Sequence, residues 1–221
     1  MDIEVKVVIA DEHWAKIKDH IPSNVDDKKR EVWFFETPTL SLKQQEIVLR
    51  VRVDRKKKAD STAKWRRWVP PFVTVRNAWE QLPGFKAEID ASLTESVPAW
   101  SVTEKDLDEK LFRAVVAKEK SVQKIFNKHQ QLLVESAWPL LPWDTISVLG
   151  PIASIKWEIP EGVVIERWTV GKESIIEISM RGKYQDVELE RIREWLRVAG
   201  MEAETLEGGK TVWALARLIR A

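Results

Sequence analysis

The feature that most constrains this fold is a two-residue alternation of charged and apolar side chains, which recurs along most of the chain. At its start, Asp2, Glu4 and Lys6 alternate with the apolar residues at positions 3, 5 and 7. Successive side chains of a β-strand point to opposite faces, so such a segment has one charged face and one apolar face. A single segment of this kind is typical of an ordinary edge strand in water. Its return in segment after segment predicts a sheet with one continuous charged face.

The same alternation and the turn residues between segments predict further strands, at residues 31–36, 47–53, 62–69, 85–91, 152–159, 163–170 and 174–181. Apolar residues at three- and four-residue spacing predict helices at 11–21 and 186–199. They also predict a helical insertion at about residues 103–135, with Thr103 and Asp106 as a capping pair. Segment 211–219 fits either a helix or a strand. No shift in composition marks a linker, so we expect a single domain over residues 1–221.

Composition excludes several classes of protein. The chain is 44% hydrophobic and 32% charged, with a net charge of +1, so no overall field favours nucleic acid or a membrane surface. It contains no cysteine, which excludes disulfides and cysteine-based zinc sites. The three histidines are scattered and suggest neither a histidine metal site nor a catalytic triad. Without a long apolar run or a signal peptide, the expected location is the cytoplasm.

Twelve tryptophans are the unusual part of the composition. Aromatic residues among lysines and arginines can stack the bases of single-stranded nucleic acid. Here, however, acidic residues share the strand faces with the basic ones and would repel a phosphate backbone. We therefore expect no nucleic-acid partner and assign most of the tryptophans to packing between helices and sheet.

Two architectures accommodate strands with one charged face: an open sheet bathed by water on that face, or a closed barrel whose lumen is charged. The charged positions mix both signs, which favours closure. We therefore predict an α+β fold, a closed antiparallel β-barrel forming a tunnel, with a charged lumen and helices packed outside. The acidic positions are Asp2, Glu4, Glu88, Asp90, Glu158, Glu166 and Glu177, and the basic ones are Lys6, Arg50, Arg52, Lys64, Arg66, Lys156 and Arg181.

Such a lumen needs counter-charges. Crowded carboxylates require cations between them, and clustered arginines require anions. A divalent metal ion on the carboxylates and a chain of phosphates on the basic residues would satisfy both. Arg50 and Arg52 are two residues apart and can each bind phosphate oxygens in a bidentate manner.

Several motifs, in this order, resemble those of the CYTH superfamily, the triphosphate tunnel metalloenzymes. The opening Asp-x-Glu-x-Lys at 2–6 is similar to the family's Glu-x-Glu-x-Lys signature. Residues 34–38 resemble its Tyr-Tyr-Asp-Thr-Pro segment, 49–52 its Leu-Arg-x-Arg strand, and Lys64 its following strand lysine. Segments 155–156, 166–168 and 176–179 resemble its closing strands. The resemblance spans almost the whole chain and is weakest in the helical insertion.

This resemblance implies a set of site residues. One or two Mg²⁺ or Mn²⁺ ions would be held by Asp2, Glu4, Glu166 and Glu177. The triphosphate group of a small molecule would be bound by Lys6, Arg50, Arg52, Lys64, Arg66, Lys156 and Arg181. Glu4, Lys6 and Glu177 would be catalytic, and Glu88, Asp90 and Glu158 would be further lumen acids. The state of association, monomer or homodimer, stays open.

The family includes triphosphatases and class IV adenylyl cyclases, and the absence of an adenine-recognition motif favours hydrolysis. Three positions depart from the family pattern. Asp2 replaces the first glutamate, Ser179 stands where many triphosphatases have a second carboxylate, and Arg181 replaces a lysine. These departures leave a second reading, a binding module for a phosphorylated ligand without turnover.

Overall fold

Nine β-strands among the described residues close into a barrel, and all but one of them correspond to a predicted alternating segment. A computed structural model of the protein describes residues 2–56, 58–67, 73–201, 206 and 209–220. The strands are β1 (Asp2–Ala10), β2 (Lys28–Glu36), β3 (Ile47–Asp54), β4 (Ala59–Arg66), β5 (Phe85–Ala91), β6 (Ser96–Leu107), β7 (Ser147–Glu158), β8 (Val163–Val170) and β9 (Glu173–Gly182). Their order around the barrel is β1-β5-β6-β4-β3-β2-β7-β8-β9. The predicted α+β fold with a closed barrel is confirmed.

Helices pack around the barrel. The described residues form α1 (Trp14–Asp19), α2 (Ser41–Gln44), α3 (Val73–Glu80), α4 (Glu109–Val116), α5 (Lys128–Ala137), α6 (Gln185–Val198) and α7 (Lys210–Leu218). The predicted helix at 186–199 corresponds to α6, and the ambiguous segment 211–219 is helix α7. Among the described residues, no helix is long and apolar enough to cross a membrane.

The predicted start of the helical insertion was wrong. Strand β6 continues to Leu107, and Thr103 lies opposite Thr62 of β4 with their hydroxyl oxygens 3.1 Å apart. Helix α4 begins only after Asp108, whose carboxylate accepts a hydrogen bond from the backbone N–H of Lys110 at 2.9 Å. Pairing with β4 gives these residues ladder hydrogen bonds that the local apolar spacing does not reveal.

Other boundaries differ in detail. Helix α3 and the first half of β6 had no counterpart in the prediction. The strand predicted at 62–69 begins earlier, at Ala59, and ends at Arg66, while residues 68 and 69 lie outside the described residues. The chain divides into two compact units, and the expectation of a single domain stays a prediction.

The first unit comprises Met1–Arg30, Ile89–Ser96 and Pro151–Ala221. Strand β9 lies between β1 and β8, and both pairings are antiparallel. The apolar residues of these strands bury themselves against Leu189, Ile192 and Leu196 of α6. Because the apolar positions alternate with charged ones, this packing directs the charged side chains to the opposite face of the sheet.

The second unit comprises Glu31–Glu88 and Val97–Gly150. The apolar faces of β3, β4 and β6 pack against α4 and α5, with Phe112 and Leu133 fully buried. Gln130 of α5 is also fully buried; its side-chain amide donates to the carbonyl oxygens of Ser61 and Val102 at 2.9 and 3.2 Å. These bonds hold α5 against both strands.

Glu36, in the motif at 34–38, stabilises the chain after β2. Its buried carboxylate accepts hydrogen bonds from the backbone N–H groups of Thr37, Leu42 and Lys43 at 2.8 to 2.9 Å. Two of these donors belong to the first turn of α2, where N–H groups lack partners within the helix and a negative charge is favoured. The structure therefore gives the motif a local role: it fixes the turn between β2 and β3.

We predict that Glu36→Gln lowers the free energy of unfolding by about 2 kcal/mol, since hydrogen bonds to a charged group contribute about 1.5–3 kcal/mol. The amide of glutamine would also place an N–H donor against the backbone donors. Urea denaturation measures the effect. Glu12→Gln is the matched control, because that side chain is 75% exposed and should change stability by less than about 0.5 kcal/mol. Equal effects of the two changes would contradict the role of Glu36.

Candidate functional site

The register of the first unit arranges predicted site residues in a row across three neighbouring strands, β9, β8 and β7. Glu177 of β9 lies opposite Val8 of β1 on one side and Glu166 of β8 on the other. Glu166 in turn lies opposite Lys156 of β7. Directly opposed residues share a sheet face, so the two glutamates stand side by side on the charged face. Both are 6% exposed.

Lys6 lies at the centre of a second group on this face. Its ammonium is 2.8 Å from Glu4 Oε2 and 2.8 Å from Asp90 Oδ1. Glu4 also accepts a hydrogen bond from Arg181 Nε at 3.1 Å, and Arg181 is its cross-strand partner. Burial alone would lower the pKa of Lys6, but the nearby carboxylates of Asp90, Glu4 and Glu177 outweigh it and raise the pKa above the ordinary lysine value.

Two of the predicted acids are half exposed. Asp2 is bonded to Lys183, and its side chain is 53% exposed. Glu158, 45% exposed, accepts hydrogen bonds from Lys156 at 2.7 Å and Lys28 at 2.5 Å. The hydrogen bonds from Lys156 and Lys28 lower the pKa of Glu158 to about 2. Both acids therefore form ion pairs with lysines and stay partly exposed to solvent.

Lys210, which the sequence analysis did not single out, joins the two central glutamates. This residue begins α7 and is 9% exposed. Its ammonium bonds to Glu166 Oε2 and lies 2.7 Å from Glu177 Oε1. The other oxygen of Glu166 accepts a hydrogen bond from Ser154 Oγ at 2.7 Å. The sequence gives only a weak indication of this role, since Lys210 simply follows two glycines and begins an apolar segment.

The second unit carries a basic face on β3 and β4. Arg50 and Arg52 share a face of β3 with Val48, and the register places Lys64 opposite Val48. Arg66, two residues further along β4, shares this face. The Nε atom of Arg52 is buried and has no hydrogen-bond partner among the described residues. Such a donor is suited to an anionic oxygen.

The acids of β5 bind lysines as well. Glu88 is 5% exposed; its Oε1 lies 3.0 Å from the ammonium of Lys64, and its Oε2 bonds to Lys86. Asp90 follows two residues later and so shares a strand face with Glu88.

Magnesium and manganese ions prefer carboxylate oxygens, and the two acid groups of the first unit differ in how well they suit such an ion. Glu4 and Asp90 have carboxylate oxygens within 4.8 Å of each other, a spacing that one cation can bridge. Glu166 and Glu177 are joined by the ammonium of Lys210. Each group already holds an ammonium, that of Lys6 against Glu4 and Asp90 and that of Lys210 against Glu166 and Glu177, so a divalent metal ion can bind either group only if the lysine moves aside. The side chain of Lys6 is 21% exposed and that of Lys210 11%, so the donor set of Glu4 and Asp90 fits a divalent metal ion better.

We predict that Lys6→Met lowers the free energy of unfolding by about 3–5 kcal/mol, the usual effect of removing one partner of a buried ion pair. The raised pKa means that the ammonium stabilises the fold at every pH below the ordinary lysine value of about 10.4, and the contribution fades only above it. The difference between wild type and variant should therefore be the same at pH 7 and pH 9 in urea denaturation.

Lys29→Met serves as the control for this change. Lys29 forms a partly exposed pair with Asp27 at 2.9 Å, and such pairs contribute at most about 1 kcal/mol. A loss of stability no larger for Lys6→Met than for Lys29→Met would show that the ammonium is not needed to balance Glu4 and Asp90.

Comparison with known proteins identifies the fold. No protein-family model matches the sequence, and no curated protein matches it. Among solved structures, a candidate adenylyl cyclase from Hippeastrum with a dominant triphosphatase activity is similar to this chain. The two are 14% identical with a TM-score of 0.69, and the match covers 98% of this chain and 96% of the other. A candidate adenylate cyclase from Bacillus halodurans is 15% identical with a TM-score of 0.66, covering 96% of this chain and 97% of that one.

A conserved hypothetical protein from Pyrococcus furiosus is also similar, at 16% identity and a TM-score of 0.52, covering 97% of this chain and 99% of that one. The likeness in each case extends over nearly the full length of both chains. The protein thus has the closed-barrel fold of these proteins, two of which are candidate adenylyl cyclases.

Proposed function

We propose that the protein binds the triphosphate group of a small molecule and hydrolyses its terminal phosphoanhydride with the help of Mg²⁺ or Mn²⁺. The observation that carries the proposal is the basic face of β3 and β4, where Arg50, Arg52, Lys64 and Arg66 share one side of a two-stranded pairing. The fold it shares with a protein of dominant triphosphatase activity supports the same reading.

The chemistry of this basic face suits a polyphosphate. Guanidinium groups two residues apart project in parallel and donate pairs of hydrogen bonds to phosphate oxygens. Lysine adds a compact positive charge that neutralises phosphate without fixing its orientation. Arg50 and Arg52 would therefore orient the phosphate chain, and Lys64 and Arg66 would add charge along it.

Glu4 and Asp90 would hold the metal ion in this proposal, with the ammonium of Lys6 moved aside from its position between them. When bound, the ion would supply positive charge and lower the pKa of a coordinated water. Arg181 would keep Glu4 in position, because its Nε donates to Glu4 Oε1. In phosphoryl transfer, positioning and charge neutralisation supply most of the rate enhancement.

A phosphate-release screen tests the proposal directly. Purified protein is incubated with inorganic tripolyphosphate, thiamine triphosphate or ATP, each with Mg²⁺, Mn²⁺ or a chelator. Metal-dependent release of phosphate from at least one compound is expected. Cyclic AMP as the main product from ATP would replace hydrolysis with cyclisation, and binding without turnover under every metal would favour a binding module.

We further predict that two substitutions separate metal and phosphate binding. Arg52→Ala removes a charge-assisted contact of about 1.5–3 kcal/mol and should weaken tripolyphosphate binding roughly ten- to a hundredfold. Glu4→Gln keeps the shape of the side chain but removes a charged ligand, so it should raise the metal concentration needed for activity and leave most of the phosphate affinity. Calorimetric binding and a metal titration of activity measure the two effects.

Arg193→Ala is the control for these variants, since Arg193 is a half-exposed arginine of α6 paired with Glu190. It should leave both measurements unchanged. If Arg52→Ala and Glu4→Gln behave like this control, neither residue takes part in binding and the proposed function is wrong.

A further inference from the structure

The pair formed by Glu166 and Glu177 requires a cation. The two residues are directly opposite each other on β8 and β9, and both are nearly fully buried. Like charges in this position destabilise a sheet, and a buried carboxylate without a counter-charge is costly. Either a bound metal ion or a basic side chain must therefore stand between them.

The structure places the ammonium of Lys210 there. It contacts one oxygen of each glutamate, and it also lies 4.7 Å from the centre of the Trp168 ring. The face of an indole ring attracts a cation, most strongly where water is excluded. Two carboxylates and an aromatic ring together form a complete site for one ammonium group.

Contacts near the other end of α7 help to fix the position of Lys210. Arg217, near its other end, bonds to Glu173 at 2.7 to 2.8 Å and stacks over Trp213 at 4.1 Å. Glu173 and Glu177 lie four residues apart on β9, so the two ionic contacts align α7 with this strand. A lysine in the first turn disfavours a helix, because that end already carries partial positive charge. The position of Lys210 is thus explained by the acids it meets rather than by the stability of α7.

We infer that Lys210 is the permanent cation of the Glu166–Glu177 pair and takes the place that a divalent metal ion would occupy there. In this chain the two glutamates do not ligate metal, although the family resemblance assigns them that role. Any metal ion is then held by the other acid group, which includes Glu4 and Asp90. The inference concerns the identity of a cation and does not depend on turnover.

Binding of Mn²⁺ itself tests the inference, measured as free Mn²⁺ by electron paramagnetic resonance in titrations of the full chain. Glu177→Gln in the wild-type background should leave the number of bound ions and their dissociation constant unchanged within about twofold. Lys210→Met should create one additional Mn²⁺ site per chain. The double variant Lys210→Met/Glu177→Gln should lose it again, with affinity falling at least about tenfold.

Lys172→Met is the matched control, because Lys172 is an exposed lysine in the turn before β9 and should not alter Mn²⁺ binding. Thermal unfolding with and without Mn²⁺ gives a second measurement: Mn²⁺ should raise the melting temperature of Lys210→Met more than that of wild type. Circular dichroism establishes that each variant is folded.

Two outcomes would overturn the inference. One is a tenfold or greater loss of Mn²⁺ affinity in Glu177→Gln alone, which would mean that the pair ligates metal in the wild-type protein. The other is a folded Lys210→Met variant that gains no Mn²⁺ site. If Lys210→Met does not fold, the Glu177→Gln titration decides the question by itself. A wild-type protein that binds no Mn²⁺, with a site gained in Lys210→Met, would support the inference while counting against the proposed function.

Discussion

Ion pairs between lysines and buried carboxylates make the charged strand faces of this barrel possible. Lys6 binds Glu4 and Asp90, and Lys64 binds Glu88. Lys210 joins two further buried acids of these faces, Glu166 and Glu177. Without these partners, several buried negative charges would face one another across neighbouring strands, at a cost of several kcal/mol each. The apolar faces can pack against helices because the opposite faces are balanced in this way.

This balance restricts how a polyphosphate could bind. The whole chain carries a net charge of only +1, and most of the basic residues discussed above already have acidic partners. A triphosphate brings several negative charges, so its arrival would leave a strong excess of negative charge unless cations came with it. A divalent metal ion that arrives with the anion reduces this excess. The requirement for metal in the proposed function therefore follows from the charges of the protein as well as from the family resemblance.

The strands could be predicted from the sequence because alternation is a local property. In β1 and β3 the pattern of charged and apolar residues agrees with the observed burial. Residues 103–107 were misread because their apolar spacing also suits a helix, and only the pairing of Thr103 with Thr62 decides for a strand. The role of Glu36 was likewise hidden, since a motif shows which residues occur together but not which backbone groups they bind.

The role of Lys210 could not be predicted from the local sequence pattern, because its partners lie 44 and 33 residues earlier in the chain. Its placement has a physical consequence of its own. A metal ion must be captured from solution, whereas a tethered ammonium is already present at high effective concentration once the chain folds. Ordering α7 costs conformational free energy, and the ionic contacts of Lys210 with Glu166 and Glu177 offset that cost. The contacts of Lys210 with the acid pair therefore stabilise the position of helix α7 on the sheet as well as the two carboxylates.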